Sequence, residues 1–193
     1  MHVKQVLQQV LGTTQHMQFN DVDVDPLKIR AIMINEVVPS DPFQDFYGQA
    51  DAEYLHTTIS LFRKAGLPVE TMQDILQMGI YITNAVKVPK SAYSIEKSSI
   101  EESLPYLEQE IAMFPHVTVI MLMGDVAKKA FNMIAKKPVV PSTPTYKLRN
   151  SEFYYGSIRV IPSYIMTGKN ILIEKSKFAM AAEDIATMAR CIG

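Results

Sequence analysis

Four short apolar runs each end on polar residues that can do chemistry: Asn35-Glu36, Thr83-Asn84, Gly124-Asp125 and Pro162-Ser163. A carboxylate such as Glu36 can activate water, and a side-chain amide such as Asn84 can pair with a carbonyl and a ring N–H together. The richest stretch runs from Lys28 to Gly48, where Asn35, Glu36, Asp41, Asp45 and Phe46 all follow one apolar run. Taken singly, each polar residue also suits a solvated loop, a turn or a helix cap, Asn84 and Asp125 above all. Their recurrence at successive run ends is what points to a site.

The elements that must position these residues follow from periodicity. Ile29 to Ile34, broken only by Arg30, has the length and β-branched content of a buried strand. Ile80 to Val86 and Val117 to Met123 read the same way, and Glu152 to Ser163 reads as two strands around a Gly156-Ser157 turn. Helical spacing marks Val3 to Leu11, about Gln49 to Gly66, Val69 to Met78, the stretch after Gly124, and roughly residues 173–190. A further helix is predicted to start at a capping box, Ser99-Ile100-Glu101-Glu102, to kink at Pro105 and to end before Pro115. Residues 13–27 and 87–98 read as loops, as do 136–146, where Pro138, Pro141 and Pro144 oppose regular structure. Strands alternating with helices imply one domain over residues 1–193 with a mostly parallel sheet covered on both faces. In such a sheet the strand ends converge on one edge, where ligands bind.

Composition excludes several classes. Hydrophobic residues make up 48% and charged residues 20%, which places the chain among soluble globular proteins. A net charge of −1 argues against a non-specific basic coat for nucleic acid but leaves room for a local basic patch. The single cysteine, Cys191, excludes an internal disulfide and a cysteine-only cluster, and it fits a reducing cytoplasm. No apolar stretch reaches the roughly 18 residues of a membrane span, so no membrane partner is expected. The N-terminal segment lacks the small-residue cleavage site of a secretory signal. His2, His16, His56 and His116 lack metal-ligand spacing, and no cofactor or metal is expected. There is no G-x-G-x-x-G, P-loop or H-E-x-x-H. Ser163 has neither flanking glycines nor an evident histidine partner, which argues against a hydrolase triad. The twelve methionines read as adaptable core filling.

Four blocks, in order and spacing, resemble the uracil-DNA glycosylase superfamily. I-M-I-N-E-V-V-P with D-F-Y-G-Q-A-D looks like its water-activating loop and Pro-Phe-x-Gly segment. Y-I-T-N-A-V-K is similar to its Thr-Asn-x-x-Lys strand end, and V-I-M-L-M-G-D-V-A to its apolar strand, glycine and alanine-bearing helix. I-P-S-Y-I-M-T-G-K-N resembles its His-Pro-Ser motif. The blocks span residues 29–170.

The resemblance implies a three-layer αβα fold on a four-stranded, mostly parallel sheet. It also implies DNA carrying uracil or another damaged base as partner, with the target nucleotide drawn out of the stack. By position, Glu36 and its neighbour Asn35 are the expected catalytic residues, and Phe46, Asn84 and Ser163 the base-binding ones. Pro162 to Lys169 becomes the DNA-facing loop. Tyr164, Ile165 or Met166 supplies an apolar wedge there, and Ser163, Thr167 and Lys169 meet phosphates, beside a rim of Lys87 and Lys90. The chain also departs from the family pattern. Ile161 stands where the motif histidine belongs, which removes a donor worth on the order of a hundredfold in rate. Asn35 replaces a glycine, Glu36 lies three residues before Pro39 rather than two, and the cysteines that bind an iron–sulfur cluster in some branches are absent. Three readings follow: a base-excising hydrolase, a non-catalytic nucleobase or nucleic-acid binding domain, and a small-molecule enzyme using the same crevice.

Overall fold

Three short runs rich in Ile and Val, two of them also carrying Met, form the parallel centre of the molecule. The computed structural model describes residues 1–12, 14–91 and 94–193. Thr13, Ala92 and Tyr93, which fall in the expected loops 13–27 and 87–98, lie outside the described residues. In chain order the elements are α1 (Val3–Leu11), β1 (Ala31–Val37), a 3-10 turn (Pro42–Gln44), α2 (Glu53–Lys64), α3 (Met72–Gln77) and β2 (Ile80–Val86). They continue with α4 (Lys97–Ala112), β3 (Val119–Met123), α5 (Asp125–Ala135) and α6 (Thr145–Leu148). β4 (Phe153–Tyr155), β5 (Ile158–Ser163), α7 (Asn170–Ile173) and α8 (Lys175–Ile192) complete the chain.

The sheet order is β2-β1-β3-β5-β4. Its first four strands are parallel, as expected, and β4 extends the sheet by pairing antiparallel with β5 through the Gly156 hairpin. α1, α4 and α5 cover one face, and α2 and α8 pack together on the other. β2 and β3 are buried along their whole length because helices cover both sides, which explains why their sequences do not alternate.

The register decides which strand-end residues meet. Asn35 of β1 lies directly beside Asn84 of β2, and Met123 of β3 beside Ser163 of β5. Helix boundaries differ from expectation at one capping box. α4 begins at Lys97 after Glu96, so Ser99 and Glu102 fall inside it, and Ser99 instead accepts the Ser103 hydroxyl at its carbonyl. The capping box that does form is Thr71–Asp74 at the start of α3, with an aspartate in the position usually taken by Glu or Gln. Pro105 is the ninth of the 16 residues of α4, and the helix continues through it.

The candidate active site at the carboxyl edge of the sheet

β1 delivers Asn35 fully buried and Glu36 half-buried at its carboxyl end. The Glu36 side chain crosses to the N-terminus of α5, where Oε2 accepts the Val126 N–H at 2.8 Å. The first N–H groups of a helix have no partner inside it, and Gly124, the residue before α5, has no side chain to supply one. Glu36 therefore caps α5 from another strand. The fit requires glycine at 124: its φ is +110°, and a Cβ there would stand 2.7 Å from Glu36 Oε2. Among the described residues no donor is found on Oε1. Burial pushes the Glu36 carboxyl above its ordinary value, against the opposing pull of the Val126 N–H.

Asn35, the residue before Glu36 in β1, starts a chain of amides. Asn35 Nδ2 donates to Asn84 Oδ1 at 3.0 Å and to Thr167 Oγ1 at 3.2 Å. Asn84 Nδ2 in turn donates to both oxygens of Asp45, at 2.9 and 3.1 Å. Asp45 is placed by the tight loop after β1. Asp41 caps the 3-10 turn by accepting the Phe43 N–H, and the Phe46 N–H bonds Asp45 Oδ1 at 2.9 Å. Gly48 closes this loop, because a Cβ there would lie 2.4 Å from the Phe43 carbonyl oxygen. Burial raises the Asp45 carboxyl above its ordinary range. One atom is left over: Asn35 Oδ1 is buried with no hydrogen-bond partner. A buried acceptor without a donor costs roughly 1–3 kcal/mol, so a ligand N–H at this point would be welcomed.

The structure brings Asn35, Glu36 and Asn84 together at one edge, and it places the other expected site residues differently. Phe46 is fully buried and packs at a tilt on Tyr54, with ring centroids 5.4 Å apart, so its face is closed to a base in this conformation. Ser163 is buried and donates its hydroxyl to Asp184 Oδ2 at 2.7 Å. Asp184 also pairs with Arg149 at 3.1 Å, and burial raises its carboxyl. Lys87 does not reach a surface rim. Its side chain is 2% exposed, and its ammonium is held by Glu110 and by Thr83 Oγ1. Met166 is likewise in the core, so it cannot act as a wedge. In the same loop Tyr164 is half-buried, while Ile165 and Lys169 are exposed. Ile161, in the place of the motif histidine, sits 7% exposed in β5.

Three contributors lacked a signal that sequence reading could weigh. In the sequence Asp45 is one of several loop acids, Thr167 reads as a phosphate contact, and Asp184 belongs to a helix face that reads as apolar core. Their roles depend on side chains meeting across 39, 132 and 21 residues of chain.

These features define a class: a three-layer α/β protein with its polar residues gathered at the carboxyl edge of a parallel sheet. The chain belongs to the uracil DNA glycosylase superfamily, whose family model matches residues 29–181. Among curated proteins none matches the chain.

Proposed function

We propose that the chain is a DNA-glycosylase-type hydrolase that releases a damaged base from a nucleotide extruded into the edge of the sheet. The observation that carries this reading is Glu36. It is a half-buried carboxylate fixed through one oxygen to the α5 N-terminus, at the same strand end as the Asn35–Asn84 amide pair, in a chain of this superfamily. Glu36 holds a water against the sugar C1′. The water oxygen bonds to C1′, its proton passes to Glu36, and the C1′–N bond breaks with its electron pair leaving on the base. A raised carboxyl is the better base for this step, since its proton affinity lies closer to the working pH. Asn84 and the open acceptor of Asn35 read the edge of the base. The single exposed cysteine, Cys191, fits the reducing interior expected for this role.

A second reading, a non-catalytic domain that binds a nucleobase, is favoured by the last motif. Ile161 offers no donor to a leaving base, and the Ser163 hydroxyl is already donated to Asp184. Oligonucleotides carrying uracil or other damaged bases, incubated with the protein and then cleaved with alkali, separate the two. Glu36→Gln is expected to slow base release by about 10²- to 10⁴-fold with little change in melting temperature. Release at the wild-type rate in that variant takes the water away from Glu36 and leaves Asp41 and Asp45 as the next candidates. Binding of damaged DNA without release in the wild type establishes the second reading.

A further inference from the structure

Beyond the Glu36-capped start of α5, a groove of about 920 Å³ runs along that helix, between it and the proline-rich segment 136–146. Its far wall is preformed. Asn132 of α5 clamps the segment by donating to the Val140 carbonyl at 2.8 Å and accepting the Val140 N–H at 3.1 Å. Lys128 ties the end of the segment down through Thr145 Oγ1 at 2.7 Å. Lys136 leaves α5 in the left-handed conformation, at φ 58°, which turns the chain back along the helix. A groove built by such specific ties on a proline-rich strap keeps its shape before any ligand arrives.

The lining is basic and aromatic. Four lysines face it (128, 129, 137 and 177) against one acid, Asp125, which pairs with Lys128 at 2.8 Å. Lys177 pairs with Glu174. Lys129 and Lys137 are exposed and pair with no carboxylate among the described residues. Tyr146 is 59% exposed, and the Lys147 ammonium lies 5.8 Å from its ring centre. Tyr164, the residue after β5, carries the Lys177 ammonium 5.7 Å from its ring centre. Each ring has an ammonium over one face and leaves the other face to a base, and rings and cations set side by side suit a ligand that repeats a flat ring and a phosphate. Single-stranded nucleic acid is such a ligand; in a duplex the base faces are already stacked.

We propose that this groove holds the single-stranded DNA flank that runs on from the strand-end site, its bases stacked on Tyr146 and Tyr164 and its phosphates on Lys129 and Lys137. The proposal rests on the reading that the strand-end site takes DNA, and continuity supports it. Asp125 and Tyr164 belong to both the groove and the sheet edge, and Lys128 of the groove wall acts electrostatically on Glu36.

The test is fluorescence anisotropy of the full chain with a labelled short oligothymidylate and with a duplex of equal length, at low and rising salt. The single strand is expected to bind more tightly. Tyr146→Ala should weaken single-strand binding about fivefold to a hundredfold, leaving duplex binding and melting temperature unchanged. Lys129→Ala and Lys137→Ala should each flatten the salt dependence of single-strand binding by about 0.7 of a unit of slope. Three results overturn the proposal: no single-strand binding at low salt, Tyr146→Ala binding like the wild type, or a polyglutamate peptide displacing the oligonucleotide as well as unlabelled oligothymidylate does. Base release is scored in parallel. Tyr146-dependent binding without release in the wild type leaves the groove standing and removes the hydrolase reading. Release together with binding indifferent to Tyr146 does the reverse.

Discussion

Two buried polar clusters hang from adjacent residues of β2, and they are built to opposite ends. Thr83 and Asn84 are neighbours, so their side chains point to opposite faces of the sheet. On the Thr83 side every group is satisfied. Glu110 accepts from Tyr81 at 2.5 Å, from Thr83 at 2.7 Å and from the Lys87 ammonium, and Asn20 completes the set by donating to Tyr81 and Thr83. On the Asn84 side Asn35 Oδ1 is left without a partner, and Asp45 sits with a raised carboxyl. A closed network holds α4 on the sheet and has nothing to offer a ligand. An open one keeps polar capacity in reserve, which is what a binding site requires. The Lys87 ammonium is thus accounted for as structure, although its place in the T-N-A-V-K block resembles a functional motif.

The comparison breaks most visibly at Glu110. Glu110→Ala strands a buried ammonium and two hydroxyl donors, and it is expected to cost about 3–5 kcal/mol in urea unfolding. The double variant Lys87→Met/Glu110→Leu should recover most of that loss, because removing both charges leaves no unpaired ion. A double variant as unstable as the single would show that the cluster does more than pair charges. Asn84→Ala removes the two Asn84 hydrogen bonds to Asp45, leaving it only the Phe46 N–H, and is expected to cost less, about 1–3 kcal/mol. It should also abolish the shifts that free uracil induces in the NMR signals of Asn35 and Phe46; shifts that persist in full would take base reading away from Asn84.

Titration sharpens the contrast further. Burial holds the Asp45 carboxyl above its ordinary value of 3.8, so the folded chain binds that proton more tightly than the unfolded chain does. Its contribution to stability is therefore greatest while it is protonated in the fold. That contribution declines as pH rises from the ordinary carboxylate range through the raised value. Glu36 and Asp184 act in the same direction. Urea midpoints followed over roughly pH 4 to 7 should lose part of this decline in Asp45→Asn, which does not titrate. An unchanged profile would mean that the Asn84 and Phe46 donors offset the burial of Asp45. The smallest expected effect belongs to the exposed end of the site: Lys169→Ala should flatten the salt dependence of DNA binding by about one unit of slope without changing stability. Lys87→Ala, by contrast, should unfold the chain more easily and tell nothing about phosphate contacts.

The fold was legible because its signals are local. Apolar runs of strand length, helical spacing between them and Gly or Pro at the joints place β1, β2, β3, α1 to α5 and α8 within a few residues of where they form, while the one-turn helices α6 and α7 carry too few residues to show a period. The short apolar segments 29–34, 80–86 and 117–123 have the length and β-branched content of buried strands rather than helices, and alternation with helices leaves a parallel sheet as the economical arrangement. The polar residues at their ends were legible for the same reason, since a run must stop where a polar side chain cannot be buried unpaired.

What each of those residues does was decided by the tertiary structure alone. The one-to-one register of Asn35 with Asn84 sets an amide pair that neither strand implies by itself. Whether Lys87 faces solvent or a carboxylate depends on Glu110, 23 residues further along on a helix. Whether Ser163 can donate to a ligand depends on Asp184, which α8 brings across from the far end of the chain. Glu36 reads from sequence as a loop acid at a strand end, and only the approach of α5, through a glycine that leaves room for its side chain, makes it a fixed carboxylate. Local sequence sets which residues are polar and where an element stops, because those are short-range consequences of burial and backbone preference. Hydrogen-bond partnership and residual exposure arise from contacts between distant elements, and so they are fixed only when the layers close.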